Sequence, residues 1–455
     1  MTGLLIPEPI RLLEDTITRN GGRAFLVGGA SIDMFTGKEP KDWDIEVFGV
    51  SYERLIEIAR LVGEADLVGS KFGVVKVKGC PLDIELSIPR TENKNGPKHQ
   101  DFDITLKPDL SIKEAGRRRD FTINTIYIDL RTSKVIDEWG GVRDLHDHVL
   151  RYVDPNTFIE DPLRAFRAIQ LAARKAEHMT PELGMLIKEM SPAVRILSGS
   201  AILGELTKCL MFAKQPSKGL QYLSPTGLIG MFPELEAIAS CPQHPTHHPE
   251  GDVWTHTQMV VDQAAKWKHE LPEDWQLGFM FGALLHDVGK PVVIDLETYS
   301  TICHDKEGAP LARAFMERIT DNEDLITKAV AITEVHMRPR LLLKASAKRA
   351  AWRRLQNVCP LNVLAYVSMC DSDGRGDPAM VQGKSDPAFI KTMEVYDEFG
   401  KPSWGIEPIL MGRHLIEAGY KPGITFSPML KAAYEYQLEE GCTDIQELLN
   451  VATGK

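Results

Sequence analysis

An α/β or α+β head with a mixed sheet, followed by all-α domains, is the fold this sequence predicts, on three observations. Short strands alternate with helical stretches over residues 1–150, at 24–27, 44–48, 74–77, 82–86 and 125–130. From residue 156 onward helical periodicity dominates and β-branched runs stop. The chain has 455 residues, too many for one ordinary core. Clusters of Pro and Gly at 224–230, 241–251 and 374–383 punctuate the helical part. The expected segments are 1–150, 151–240, 241–380 and 381–455. Segment 91–108 is polar, rich in Asn, Lys, Gly and Pro, and lacks helical period, so it reads as a mobile loop.

Composition narrows the functional classes. A net charge of −11 argues against indiscriminate coating of nucleic acid, so any such contact must come from local basic patches. The seven cysteines are scattered and form no CxxC pair, which argues for reduced thiols in a cytoplasm and against a zinc knuckle or disulfide framework. No apolar run reaches membrane length. The longest, 277–285, is interrupted by Gly278 and Gly282 and stops at His286, as a buried helix would. The N-terminus has no signal-peptide pattern.

Within the head, Asp42-Trp43-Asp44 follows an apolar strand and Gly28-Gly29 by about a dozen residues. Side chains alternate along a strand, so Asp42 and Asp44 share a face and can grip the same divalent ions, while Trp43 points into packing. Glycines at the strand end let the backbone approach a triphosphate closely. Two-metal phosphoryl transfer asks for a further carboxylate on a neighbouring strand, and Asp83 and Glu85 are both candidates. In Arg117-Arg118-Arg119-Asp120-Phe121-Thr122-Ile123-Asn124, the arginines can neutralise phosphates and Asn124 can hydrogen-bond a sugar or base. Asp161 stands where an N-cap belongs, with Pro162 at the first helical position, and capping alone explains it. Capping does not explain Arg164 or Arg167. Asp161 and Arg164 share one helix face and offer donors and acceptors to a base edge.

In this order, the GG loop, the DxD strand, an acid five residues before Arg90, the RRDFTIN segment and the EDPLR helix resemble the class II tRNA nucleotidyltransferases, or CCA-adding enzymes, and the related bacterial poly(A) polymerases. The resemblance implies a polymerase β-like nucleotidyltransferase head using Mg2+, with Asp42, Asp44 and Glu85 as catalytic carboxylates. Gly28, Gly29, Asp33, Arg119, Asp120, Asn124, Asp161, Arg164 and Arg167 are its implied nucleotide-binding residues. Asp161 and Arg164 would read the base edge of incoming CTP or ATP. The implied substrate is the 3′ end of tRNA. Ile32 stands where the family usually carries an arginine, so one triphosphate contact is missing.

In the middle third, His256, His286-Asp287, His304, His336 and Asp373 recur along successive helical segments. The set resembles the HD phosphohydrolase domain. The resemblance implies His256, His286, Asp287 and Asp373 as metal ligands, with Asp371 a weaker substitute for the last and His304 and His336 nearby. Imidazole mixed with carboxylate suits Mn, Ni, Co or Mg. The implied activities are those of a phosphatase and a 2′,3′-cyclic phosphodiesterase. Downstream, Arg338, Arg340, Lys344, Lys348, Arg349, Arg353 and Arg354 form the strongest basic run, and Lys348, Arg349 and Arg353 are the expected RNA-backbone contacts. Two other readings compete: a polynucleotide adenylyltransferase of broader RNA choice, and an HD phosphohydrolase whose head only binds RNA.

Overall fold

The structure is a computed structural model that describes residues 6–67, 73–96, 102–376 and 382–454. The chain divides into two compact units, Met1–Leu206 with Lys218–Leu228, and Thr207–Ser217 with Ile229–Lys455. The expected boundary at 380 falls outside the described residues.

The first unit opens with α1 (Glu8–Arg19), whose apolar stripe buries Ile10, Leu13 and Ile17. It continues through β1 (Arg23–Leu26), α2 (Gly28–Phe35), β2 (Asp42–Phe48), α3 (Tyr52–Ala59), β3 (Glu64–Asp66), β4 (Val74–Lys78), β5 (Asp83–Ser87), β6 (Arg90–Lys94) and β7 (Phe102–Leu106). Then come α4 (Ile112–Arg117), β8 (Tyr127–Asp129) and β9 (Val135–Ile136). Among the described residues the main sheet has seven strands in the order β3-β4-β5-β2-β1-β8-β9. The sheet is mixed, because β2 and β5 run parallel while β1 pairs antiparallel with both β2 and β8. Alternation along β2 does the sorting. Trp43, Ile45 and Val47 enter the core with Ile84, Leu86 and α1, while Asp42, Asp44, Glu46 and Phe48 line the opposite face.

One expectation is overturned here. Segment 91–108 is not a loop throughout: β6 and β7 pair antiparallel from Arg90↔Leu106 to Lys94↔Phe102. Phe102, Ile104 and Leu106 alternate with exposed Asp103 and Thr105, a period-two signal hidden by the polar composition of β6. Residues 97–101 lie outside the described residues.

The second unit is helical. The Glu273–Leu285 helix buries Trp275 and every residue from Gly278 to Leu285. It lies so close to the Glu323–Val335 helix that a Cβ on Gly282 would stand 2.6 Å from Ile332 Cγ2. Val253–Trp267, His304–Ile319 and Leu361–Asp373 complete the helices that matter for the site. Nearer the C-terminus, a separate small core gathers Leu410, Leu415, Ala433 and Leu448.

Part of the basic run is spent within the fold. Arg349 Nη2 donates to Glu398, 2.7 Å, and Arg354 Nη2 to Glu439, 2.8 Å. Arg353 Nη1 donates to the carbonyls of Leu438 and Glu439, satisfying the last turn of the Phe426–Glu440 helix. Arg349 and Arg353 therefore dock helices. Of the three expected contacts, Lys348 is the exposed one.

Candidate functional site

In the head, register creates the site. Parallel pairing sets Asp42 opposite Asp83 and Asp44 opposite Glu85, so four carboxylates share one face. Burial grades along β2 from exposed Asp42 through half-buried Asp44 to fully buried Glu46. Burial, the neighbouring Glu85 and the charges of Asp42 and Asp83 push Asp44 up to about 6, against the pull of Arg119. Lys76 balances only the outer edge, 3.2 Å from Asp83 Oδ1. A carboxylate set this crowded fits a divalent cation, which would offset the mutual repulsion.

α2 begins at Gly28, directly after β1, with φ +64°. A Cβ there would lie 3.6 Å from Asp44 Oδ2 and 3.9 Å from Arg119 Nη1, whereas at Gly29 it would meet nothing within 4 Å. The glycine loop, the Asp44 carboxylate and the Arg119 guanidinium thus converge beside open space, as a phosphate-accepting loop requires. Ile32 is buried. Asp33 makes an ion pair with Lys175.

The remaining nucleotide-site candidates form an internal network. Asp120 Oδ1 accepts from the Phe121 amide at 2.9 Å and Asn124 Nδ2 at 2.7 Å, and its Oδ2 accepts from Arg167 Nε at 2.7 Å. Burial alone would raise the Asp120 carboxyl, but Arg167, Arg164 and Asn124 hold it below the ordinary carboxylate value. Arg164 donates to the carbonyls of Thr157, 2.8 Å, and Arg118, 2.6 Å. Asp161 Oδ1 accepts from the Leu163 amide at 3.0 Å, and the helix starts at Leu163 with Pro162 at the capping position, one residue later than expected. Asp161 and Arg164 thus both bond to backbone groups near the start of this helix, and Asp120, Asn124 and Arg167 fasten the RRDFTIN segment to the Leu163–Arg174 helix.

In the helical unit, His286 and Asp287 follow directly on the Glu273–Leu285 helix and His336 on the Glu323–Val335 helix. His304 opens its helix, and His256 and Asp371 lie within theirs. His256, His286 and Asp371 form one group able to hold an ion, and Asp287, His304 and His336 another. Asp287 spans both, with Oδ2 3.1 Å from His286 Nε2 and Oδ1 3.2 Å from His304 Nε2. The Nδ1 atoms of His286, His304 and His336 each face a backbone carbonyl at 2.8–2.9 Å. That directs the three Nε2 atoms inward, the orientation a metal-binding histidine needs. Burial and the neighbouring His286 and His304 lower His336 to about 4, so it is a neutral donor. Burial opposes charge on His256, yet hydrogen bonds to Asp371 and Glu250 raise it to about 9.

Asp373 is not part of this cage. Its carboxylate accepts from the backbone amides of Gln382 and Gly383, and Asp371 stands 3.1 Å from His256 Nε2 instead. Two positions along a helix turn a side chain by about 200°, so only one of the two acids can face His256. Sequence reasoning also missed Glu250, whose buried Oε1 lies 2.9 Å from His256 Nδ1, and Lys290, 2.6 Å from Asp287 Oδ2. The signal for Glu250 was a polar His247-His248-Pro249-Glu250 loop shortly before a candidate ligand. Glu46 and Tyr127 went unnoticed in the head.

Residues 24–151 match the poly(A) polymerase head domain, and residues 253–371 match the HD domain. A multifunctional CCA protein of Xanthomonas campestris pv. campestris is 32% identical over 368 residues, covering 78% of this chain and 85% of that protein. One from Pseudomonas syringae pv. syringae is 30% identical over 367 residues, covering 77% and 85%. Among solved structures, the Bacillus stearothermophilus CCA-adding enzyme in complex with CTP has a TM-score of 0.64 at 19% identity, covering 96% of this chain and 94% of that one. The Thermotoga maritima CCA-adding enzyme complexed with tRNA has a TM-score of 0.58 at 19% identity, covering 99% and 96%. With both domains in one chain and relatives matched over most of their length, the protein belongs to the multifunctional CCA protein family of class II CCA-adding enzymes.

Proposed function

We propose that this protein adds all or part of the CCA sequence to tRNA 3′ ends from CTP and ATP, and that its HD domain is a metal-dependent phosphohydrolase. The observation that carries the first activity is the in-register pairing of Asp42 and Asp44 with Asp83 and Glu85 beside the open Gly28-Gly29 loop. Asp42 and Asp44 are the residues that would hold Mg2+, which when bound supplies positive charge against the charge developing on pyrophosphate. Glu85, beside Asp44, is assigned to orient or deprotonate the attacking 3′-hydroxyl. Arg119 is assigned to the triphosphate.

For the second activity, His256, His286, Asp287 and Asp371 would hold Mn, Ni, Co or Mg, which lowers the pKa of bound water when present. His304 and His336, on the other oxygen of Asp287, complete a second set of donors. The substrates suited to such a site are phosphomonoesters and 2′,3′-cyclic phosphates. Lys290 supplies a buried cation beside the ligands.

The test is to incubate the protein with tRNA ending at the discriminator base, with CTP, ATP or both, and to sequence the ends. Ordered extension by C and A is expected. Extension of unrelated RNA by ATP alone would instead mark a polynucleotide adenylyltransferase. Asp44→Ala should abolish extension, because it removes a proposed metal ligand. If the variant keeps more than about a tenth of the wild-type rate, equivalent to a barrier change under about 1.4 kcal/mol, the carboxylate assignment fails.

A further inference from the structure

We infer that Glu46 is the positioning residue that aims Arg119 at the incoming triphosphate, with Tyr127 as its second anchor; the inference rests on the nucleotidyltransferase reading of the head. Glu46 continues the pattern of Asp42 and Asp44 on the same face of β2 and so resembles a third ligand of that strand. Its surroundings exclude that role. It is 0% exposed, Oε1 accepts from Arg118 Nη2 at 2.6 Å, and Oε2 accepts from Tyr127 Oη at 2.7 Å and Arg119 Nη2 at 3.1 Å. Both oxygens of that carboxylate are engaged, Oε2 twice, by donors on other elements.

Arg119 is held from two sides. Its Nη2 is on Glu46, its Nε points at Tyr127 Oη at 3.4 Å, and its guanidinium carbon lies 5.5 Å from the Tyr127 ring centroid. Nη1 has no partner among the described residues and lies at the Gly28 end of the loop. The clamp therefore consumes one edge of a planar fork through Nε and Nη2 and leaves Nη1, which would stand 3.9 Å from a Cβ on Gly28. Such a fork suits the oxygens of a nucleoside triphosphate.

Stability alone does not account for the arrangement. A buried carboxylate with two arginines brings little net stabilisation compared with apolar packing of the same volume, and Phe25, Phe48 and Tyr127 already form an apolar cluster here. What the clamp adds is direction. An unclamped arginine samples several rotamers and loses that freedom again when it binds phosphate.

The experiment measures CTP affinity and steady-state addition to tRNA ending at the discriminator base for wild type, Glu46→Gln, Tyr127→Phe, Arg119→Ala and the Glu46→Gln/Arg119→Ala double variant. Glu46→Gln and Arg119→Ala should each raise the CTP Kd and KM at least tenfold with a smaller change in kcat, and Tyr127→Phe should shift them less in the same direction. The double variant should bind CTP within about twofold of Arg119→Ala, since Glu46 acts through Arg119. Glu46→Asp should recover part of the affinity, and thermal melting together with bound HD metal checks folding. If Glu46→Gln fails to fold, Tyr127→Phe and Glu46→Asp carry the test. Affinity unchanged in the Glu46 variants while Arg119→Ala weakens binding, or a double variant equal to the product of the singles, overturns the inference alone. Unchanged affinity in Arg119→Ala overturns it together with the assignment of Arg119 to the triphosphate.

Discussion

At the scale of single residues, the head contains charged groups of opposite function that differ little in sequence. Asp44 is pushed up to about 6 among other acids, while Asp120 is held below 3.8 by arginines and an amide. A carboxyl with a lowered folded-state pKa contributes stability above its unfolded value and loses it as pH falls through the folded value. The Asp120 network should therefore stabilise the first unit fully at neutral pH and fail progressively below about pH 4. Asp120→Asn should remove that part of the acid dependence and destabilise the unit by about 1–3 kcal/mol at pH 7, because the amide keeps only one acceptor oxygen and sets an NH2 donor against Arg167 or Asn124 in place of the other. Melting curves from pH 3 to pH 7 check this, and identical acid profiles for the two proteins would contradict it. The DxD pair was legible in sequence because strand alternation is a local property. The backbone contacts of Arg164 were not, since one of its carbonyl partners, on Arg118, is 46 residues away. Glu46 obeys the same alternation as Asp42 and Asp44, and only three-dimensional burial separates it from them.

At the scale of elements, the spacing between two helices sets the HD cage, because His286 follows one helix and His336 the other. Gly282 is what lets them approach: its absent Cβ would stand 2.6–2.7 Å from three atoms of Ile332, a β-branched side chain with little freedom to move. Gly282→Ala gains about 1 kcal/mol of helix propensity but overpacks the interface at about 1–3 kcal/mol. Overpacking is the larger effect, so the variant should melt lower and hold its HD metal more weakly. Differential scanning calorimetry and metal titration check both, and a variant as stable as wild type would show that the helices separate without penalty. The 277–285 run was readable as a buried helix from its apolar content and its end at His286. The β6-β7 hairpin was not, because β6 is polar throughout and only β7 carries alternation. Asp371 and Asp373 were both visible, but which one faces His256 depends on helix phase, set by packing on neighbouring helices.

At the scale of the whole molecule, each compact unit carries its own set of titratable groups, the carboxylate face in the first and the histidine cage in the second. The order of motifs along the sequence made this two-part layout readable, but the break in packing could not be read there, because residues 207–217 belong to the second unit while 218–228 return to the first. Separate ligand sets lead to separable losses. His286→Ala removes one imidazole from a buried group whose other donors include His256 and Asp371, and a missing ligand weakens an ion held by so few donors. After dialysis the variant should retain little transition metal and no phosphatase or cyclic phosphodiesterase activity, while nucleotide addition stays within about twofold of wild type, a change under about 0.5 kcal/mol in barrier height. Asp44→Ala should give the converse, with metal content intact and addition lost. Elemental analysis finding equal metal in wild type and His286→Ala would refute the cage. Loss of both activities in a normally folded His286→Ala protein would show that the HD site controls the head, since none of the groups proposed for nucleotide addition is altered.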